Sequence, residues 1–324
     1  MVMRLFAGAL ALAVVLGAHA QGWSPQKPVE VVVPTAAGGA NDNIARLIQT
    51  ILQDKKLVPT PVLVMNKAGG NQTLASVYVR QHPNDPHYLL YSTSSVLSAE
   101  ITGLSKMHYT ELTPIALLVT EHSVVSVRAD SPIRSMKDLM AQLKSDPQSI
   151  AFGMVSRGGS NHLALAQSVK AAGIDPKKLK TIVFKTNSES YLGVVGGHIQ
   201  AVASSATAAH PFLQQGSVRV IGITAQQRQS GDFAAVPTMR EQGIDARVSN
   251  WRGVFAPPGI APQQAAYWDD TFAKLVASQE WKHMVEQNNT EGHFLRSREF
   301  AKFLEGQYAF SKAVLTELGF AKQP

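Results

Sequence analysis

The sequence contains no cysteine among its 324 residues. Disulfide bonds, thiolate metal ligands and cysteine nucleophiles are therefore excluded. Charged residues make up only 16% of the chain and aromatic residues 7%, and the basic residues are scattered instead of forming a stripe with interleaved aromatic side chains. This distribution argues against a nucleic-acid-binding surface. The formal net charge of +7 permits at most a mild preference for anionic partners.

Apolar runs long enough to cross a membrane are also missing. The run "LFAGALALAVVL" follows Arg4 and precedes Ala18-His19-Ala20. A basic start, a short apolar core and a small-x-small cleavage site are the three parts of a secretory signal peptide, and this core is too short for a comfortable membrane span. We therefore expect residues 1–20 to be a signal peptide, cleaved after Ala20, and the remaining chain to be exported.

The remaining sequence alternates short apolar strands, small-residue loops and amphipathic helices. The strand "VEVVV" (29–33) is followed by "PTAAGGAND" and by a helix predicted from about Asn43 to Lys55, whose apolar residues recur at helical spacing. The same order recurs from "VLVM" (62–65) to "VRVIGITA" (218–225). Repeated strand–helix units with apolar strands predict an α/β fold, in which parallel-rich sheets are covered by helices on both faces.

The chain length and the distribution of strands predict two domains. Strands before about residue 120 are expected in one sheet, and those from about 150 to 225 in the other. After Pro262 the pattern is helical without further strands, and this tail would pack back on the first domain. The predicted boundaries are 21–122 with 254–324 for domain 1 and 123–253 for domain 2, with crossovers at "SVVSV" (123–127) and "NWRGVFA" (250–256).

Five loops that follow predicted strands are rich in glycine, serine, threonine and asparagine. They are "PTAAGGAND" (34–42), "NKAGGNQ" (66–72), "STSS" (92–95), "SRGGSNH" (156–162) and "SSAT" (204–207). In open α/β sheets ligands bind beyond the carboxyl ends of the strands, where glycine permits close approach and helix N-termini bind anions. The loops therefore predict a cleft between the domains that can hold an anion through N–H groups, hydroxyls and water.

The same loops also predict the N-cap residues of two helices and cationic side chains that could contact the ligand. We expect Asp42 or Asn41 to be the N-cap of the first helix, and Asn161 or Ser160 to be the N-cap of the helix after the fourth loop. Arg157 could clamp a carboxylate at two points. Lys67 and Arg252 also lie in or beside the proposed loops, and Arg252, next to Trp251 at the crossover, could serve the hinge instead.

Other site types have weaker signals. "GGAND" is not a G-x-G-x-x-G motif, and no glycine run is followed by the Lys-Ser/Thr of a phosphate-binding loop. The sequence has no His-Glu-x-x-His motif, so we expect neither a metal nor a cofactor. A secreted serine hydrolase using Ser160 or Ser94 is an alternative, but the nucleophile elbow G-x-S-x-G is absent.

Several stretches, taken in order, resemble one known family. They are "VEVVVPTAAGGANDNIAR", "VLVMNKAGGNQTLA", "SRGGSNHLA", "GGHIQAVASS", "VRVIGITAQQR" and "NWRGVFAPPGIAP". This set resembles the Bug receptors, the extracytoplasmic solute-binding proteins of the tripartite tricarboxylate transporter family, over nearly the whole mature chain. The resemblance implies a two-domain periplasmic-binding-protein (Venus-flytrap) fold with a cleft between the domains.

The resemblance also implies a function without catalysis. The protein would capture a small carboxylated organic anion in the periplasm and deliver it to the transmembrane permease subunits of a tripartite transporter. It would act as a monomer, without nucleic acid. A sensor that presents the same closed form to a signalling kinase is a second reading, because both functions use the ligand-closed state.

The loop pattern and the resemblance together assign the ligand-binding residues. The first two loops would grip one carboxylate, the third would line the wall, and loops of the second domain would close over the other end. The residues are Thr35, Ala37, Gly38, Gly39, Asn41, Asp42, Gly69, Gly70, Asn71, Gln72, Ser92, Thr93, Ser94, Ser95, Ser156, Arg157, Gly159, Ser160, His162, Ser204 and Ser205.

The sequence departs from the family pattern at several of these positions. Ala37 stands where proline is common, Asn71 and Gln72 stand where glycine is common, and Arg157 replaces a usually small residue. Amides at 71 and 72 would narrow the pocket or add hydrogen bonds. These departures leave open which carboxylate is bound.

Overall fold

The computed structural model describes residues 22–38, 40–155, 157–246, 249–288 and 290–322. The predicted signal peptide and the predicted site residues Gly39 and Ser156 lie outside these ranges. Within them, the chain forms a ten-stranded mixed sheet with helices packed on it. The predicted α/β class is confirmed.

The strands and helices are numbered here in chain order. The strands are β1 (Val29–Val33), β2 (Val62–Asn66), β3 (Tyr88–Thr93), β4 (Thr113–Arg128), β5 (Ala151–Met154), β6 (Lys180–Val183), β7 (Ala201–Ser205), β8 (Val218–Ile223), β9 (Ser249–Ala256) and β10 (Glu291–Leu295). The helices are α1 (Ala40–Asp54), α2 (Thr73–Arg80), α3 (Ser95–Ile101), α4 (Met136–Ser145), α5 (Ser160–Ala171), α6 (Asn187–Val195), α7 (Ala206–Gln214), α8 (Pro262–Ala277), α9 (Gln279–Gln287) and α10 (Ser297–Glu317).

The sheet has two parts that share the long strand β4. In the first half-sheet, β1 pairs in parallel with β2 and β3, and β9 runs antiparallel between β3 and residues 113–122 of β4. In the second half-sheet, residues 123–128 of β4 pair with β7 and β8, and β7, β5 and β6 are parallel neighbours. Parallel strands therefore point their carboxyl ends from both parts toward the crossing of β4.

Strand β4 differs from its prediction. The sequence predicts two short strands, 114–119 and 123–130, because the polar residues "TEHS" (120–123) interrupt the apolar pattern. The structure has one 16-residue strand. These four residues are all buried. They lie where β4 passes from the first half-sheet into the second. The predicted crossover 123–127 is the part of β4 that enters the second half-sheet.

The C-terminal tail also differs in one respect. The prediction of a wholly helical tail is wrong, because β10 pairs antiparallel with β4, with Glu291 opposite Thr120. The tail does pack on the first half-sheet, where Phe300 and Leu304 of α10 are buried against Trp251. The end of α10 additionally contacts α5 through an apolar cluster that includes Leu163.

Each half-sheet has its own apolar core. In the first, α1 buries Ile44, Ile48 and Ile51 against Val31 of β1, which confirms the apolar face predicted for that helix. In the second, helices α4 and α5 bury their apolar residues against Phe152 of β5. In the described ranges, no helix is both long and apolar enough to span a bilayer.

Candidate functional site

A cavity of about 370 Å³ lies where the two half-sheets meet, which is within the usual size range of small-molecule sites. Three sets of residues line it. The first wall comprises Thr35, Asn41, Gln72, Thr93 and Ser95. The floor, on β4 and β9, comprises Glu121, Asn250 and Arg252. The second wall comprises Met154, Val155, Gly159, Ser160, Asn161, Asn187, Ser205, Thr207 and Ala208.

The structure brings together part of the predicted site. Thr35, Asn41, Gln72, Thr93, Ser95, Gly159, Ser160 and Ser205 line the cavity. Other predicted residues lie in the same loops but do not line it: Ala37, Gly38, Asp42, Gly69, Gly70, Asn71, Ser92, Ser94, Arg157, His162 and Ser204. Several of these hold the lining residues in place.

Asp42 closes the first loop from behind. Its buried carboxylate accepts hydrogen bonds from Gly38 N (2.8 Å), Arg46 Nε (2.9 Å) and Asn66 Nδ2 (2.8 Å). These bonds, led by that of Arg46, lower the pKa of Asp42 to about 2. Helix α1 begins at Ala40, so the prediction of Asp42 or Asn41 as its N-cap is wrong. Asp42 nevertheless accepts a hydrogen bond from a loop N–H group, that of Gly38, as an N-cap side chain accepts one from a helix N–H.

The second loop has unusual backbone geometry. Gly69, Gly70, Asn71 and Gln72 all have positive φ, with values of 131°, 58°, 48° and 76°. For a non-glycine residue, the left-handed conformation costs roughly 1–2 kcal/mol. The amides at positions 71 and 72 therefore occupy a backbone conformation that favours the glycines of the family pattern.

Hydrogen bonds of Gln72 offset this strain. Its Oε1 accepts from Ser92 Oγ (2.6 Å) and from Thr93 N (3.3 Å), and its Nε2 donates to Thr93 Oγ1 (2.5 Å). The backbone N–H of Ser95 also donates to Thr93 Oγ1, at 3.3 Å. Gln72 thus fastens the second loop to the end of β3, and Ser92 supports the wall without lining the cavity.

The second wall is built around the start of α5. Gly159 is the N-cap residue and provides no side-chain cap, so the prediction of Asn161 or Ser160 as N-cap is wrong. Both residues belong to the first helical turn. The first N–H groups of a helix have no intrahelical acceptor, and the helix dipole favours negative charge there. The second wall therefore offers main-chain donors suited to an anion.

His162 and Arg157 lie behind this wall. His162 is buried, and its Nδ1 accepts from Gly158 N at 2.9 Å. Burial, with a smaller contribution from the charge of Arg157, lowers the pKa of His162 to about 4. The Arg157 guanidinium donates through Nη2 to the carbonyl of Thr181 at 3.0 Å. The clamp predicted for Arg157 is thus directed toward β6.

The last two residues of β7, both serines, have different hydrogen-bond partners. Ser204 is fully buried, and its hydroxyl is 2.6 Å from that of Tyr191, which in turn is 3.0 Å from that of Ser126. Ser205 is the N-cap of α7, and its hydroxyl accepts from Ala208 N at 3.3 Å. Of the two, Ser205 reaches the cavity.

The floor carries an ion pair that sequence reasoning missed. Arg252 Nη2 lies 2.9 Å from Glu121 Oε2, and the two residues are 6% and 1% exposed. Asn250 Nδ2 donates to the same oxygen at 3.2 Å. Burial opposes the charge of Glu121, but the Arg252 charge and hydrogen bonds from neighbouring side chains outweigh it. They hold the pKa of this carboxyl below its ordinary value.

A larger cavity, of about 830 Å³, lies elsewhere. It is lined by Thr120, His122 and residues of β10, α10 and the segment after β8, and none of the predicted site residues belongs to it. Helix α5 does not start there. The smaller cavity, where the helix N-terminus, loop ends and floor converge, is therefore the candidate ligand site. Among the described residues, no cluster of three or more acidic or histidine side chains could hold a metal ion.

Comparison with known proteins agrees with this geometry. The family model described as "Tripartite tricarboxylate transporter family receptor" matches residues 44–320. The chain belongs to this family. Its members are solute-binding receptors and not enzymes. A UPF0065 protein of Cupriavidus necator is 27% identical, covering 92% of this chain and 89% of its own. BugT of Bordetella pertussis is 28% identical, covering 74% and 73%, which confirms the Bug resemblance.

Solved structures confirm the fold. A TctC solute-binding protein from Polaromonas, without ligand, superposes with a TM-score of 0.78 at 24% identity, covering 90% of this chain and 99% of that one. Rpa4515 of R. palustris, solved with adipate, gives 0.78 at 21% identity, with 92% and 99% covered. MatC of Rhodopseudomonas palustris, with malate, gives 0.72 at 22% identity, with 90% and 99% covered.

Proposed function

We propose that this receptor captures a small carboxylated organic anion in the periplasm and delivers it to the membrane permease of a tripartite transporter. Two domains would close on the ligand, residues 21–122 with 254–324 and residues 123–253. The observation that best supports this proposal is the set of residues that line the cavity. The start of α5 faces the first wall across a floor whose two charged residues, Glu121 and Arg252, already pair with each other.

Such a cavity suits an anion held mainly by neutral donors. The second wall contributes N–H groups at the start of α5, and the first wall contributes the side chains of Asn41 and Thr93. Charge-assisted hydrogen bonds to a carboxylate are stronger than neutral ones. Adipate and malate in two solved relatives are ligands of this class, which supports the proposal.

The ligand class is tested first by a thermal-shift screen of the mature protein. The panel is citrate, succinate, malate, adipate, glutamate, nicotinate and terephthalate, with calorimetry on any hit. A ligand that binds only the folded state raises the melting temperature, so at least one carboxylate is expected to do so. Folded protein that shows no shift, and that releases no organic anion on denaturation in mass spectrometry, would contradict the proposal.

Export and delivery are tested in cells. Intact-mass measurement of the exported protein is expected to show an N-terminus at Gln21, as cleavage after Ala20 requires. Uptake of the labelled hit should require both the receptor and its permease. Normal uptake without the receptor, together with a ligand-dependent change in gene expression, would favour the sensor reading instead.

A further inference from the structure

The Arg252 side chain connects the floor of the cleft to its first wall. Its Nη2 contacts Glu121 Oε2 at 2.9 Å, and its Nε donates to Asn41 Oδ1 at 3.3 Å. Arg252 and Glu121 lie on the paired strands β9 and β4, where Glu121 is opposite Asn250. Both ion-pair side chains are more than nine-tenths buried. The guanidinium is therefore held by a buried ion pair between two neighbouring strands.

This contact decides which way the Asn41 amide faces. An asparagine side chain can present either its oxygen or its NH2 group to a neighbour, and the two orientations are nearly equal in shape. A guanidinium only donates and is always charged. The Asn41 atom that faces Arg252 must therefore be the oxygen. The NH2 group is left on the other side of the amide, on a residue that lines the cavity.

We propose that Arg252 is a positioning residue, which orients the Asn41 amide so that its NH2 group donates to a carboxylate oxygen of the ligand. This inference rests on the proposed function and adds a selection rule to it. At Asn41, the first wall favours a ligand group that carries hydrogen-bond acceptors over one that carries donors.

Thr93 strengthens the same rule. Its Oγ1 already accepts from Gln72 Nε2 and from Ser95 N, and a hydroxyl oxygen has two acceptor lone pairs. The group that remains for the cavity is the hydroxyl proton. The first wall thus offers two donors, the Asn41 amide NH2 and the Thr93 hydroxyl. Both lone pairs of Thr93 Oγ1 are used within the protein, and Asn41 Oδ1 faces Arg252.

The test compares substitutions of Asn41 with a charge-matched control. Calorimetry would use the panel carboxylate that raises the wild-type melting temperature most, together with its monoamide. Asn41→Ala is expected to weaken binding of the carboxylate about tenfold. Asn41→Asp is expected to weaken it about 100-fold, because a carboxylate oxygen replaces the donor. The monoamide, which can donate to the new carboxylate, should lose much less in Asn41→Asp.

Asn43→Asp is the control. It adds the same charge to the same helical turn, on an exposed residue that does not line the cavity, and binding is expected to stay within about twofold of wild type. Equal losses in Asn41→Asp and Asn41→Ala, unchanged binding in both, or an equal loss in Asn43→Asp would overturn the proposal. Wild-type protein that binds no carboxylate would instead overturn the proposed function, and this inference with it.

The role of Arg252 is tested by the double variant Glu121→Gln/Arg252→Met. Both charges are removed together, since one buried charge left alone is strongly destabilising. With the guanidinium gone, the Asn41 amide can rotate, so the preference for the carboxylate over its monoamide should fall toward one while urea unfolding remains cooperative. A preference unchanged from wild type would assign the selection to other groups.

Discussion

The two walls of the cleft are built in different ways. The first wall depends on side-chain networks: Asp42 closes one loop from behind, and Gln72 fastens the next to β3. At the second wall, the start of α5 offers main-chain N–H groups, and its N-cap residue Gly159 provides no side-chain cap. The side-chain networks of the first wall fix its loops before a ligand arrives, and the main-chain donors of the second wall would be brought to the ligand if the proposed domains close. A receptor that closes on its ligand benefits from one fixed and one mobile surface.

The largest difference is expected when an amide on each wall is replaced by leucine. Gln72→Leu removes three hydrogen bonds from a buried network and leaves partners unsatisfied, which should lower the free energy of unfolding by about 4 kcal/mol. Asn161→Leu removes one bond, from Ser123 Oγ, and should cost about 1 kcal/mol. Urea unfolding at pH 7 measures both. Equal losses would show that the two walls are stabilised alike.

Acid should affect the second wall first, through His162. Its folded-state pKa of about 4 is below the unfolded value of about 6.5. The stability contributed by keeping it neutral is complete above the unfolded pKa and is lost as pH falls toward 4, by about 3 kcal/mol. In the His162→Asn variant, the urea concentration at the unfolding midpoint should vary less with pH between 6.5 and 4. The exposed residue His198 provides the control His198→Asn, which should keep the wild-type slope; a matching change there would assign the effect to general charge.

The first wall should respond at lower pH, and more weakly. The pKa of Asp42, at about 2, is below its unfolded value of about 3.9, so its contribution is present above pH 4 and is lost as pH falls toward 2. Because Arg46 is half exposed, solvent screening reduces the effect to about 1 kcal/mol. Asp42→Asn should shrink the loss of stability between pH 4 and 2, while Asp130→Asn, on an exposed ion pair, should not. An unchanged slope in Asp42→Asn would mean that its bonds do not support the wall.

The loops predicted from the sequence contribute residues to the candidate cavity, and their contacts with a ligand stay a prediction. Thr93 is the last residue of β3, Thr35 follows the end of β1 by two residues, and Gly159 follows the end of β5 by five; all three line the cavity. Which neighbouring polar residues turn away from the cavity was less predictable. Asp42, His162 and Ser204 have the polar character of ligand contacts, but their side chains are directed into the protein, where they hold Gly38, Gly158 and Tyr191.

The floor could not be predicted from local pattern. Glu121 and Arg252 are 131 residues apart in sequence, and only the pairing of β4 with β9 brings them together. One signal was available: polar "TEHS" (120–123) interrupts an otherwise apolar strand. That interruption separated two predicted strands, yet the residues are buried at the crossing of the half-sheets. A polar break in an apolar run can therefore mark a site as well as a strand end.

Three features were determined by the sequence alone: the alternation of strands and helices, the apolar face of α1 and the glycine-rich strand ends. Each depends on neighbours only a few residues apart. The family resemblance extended this to a receptor fold. Tertiary structure alone decided the continuity of β4, the strand in the C-terminal tail, the buried ion pair and the orientation of the Asn41 amide. Each depends on which distant segments become neighbours and on which hydrogen-bond donors find which acceptors.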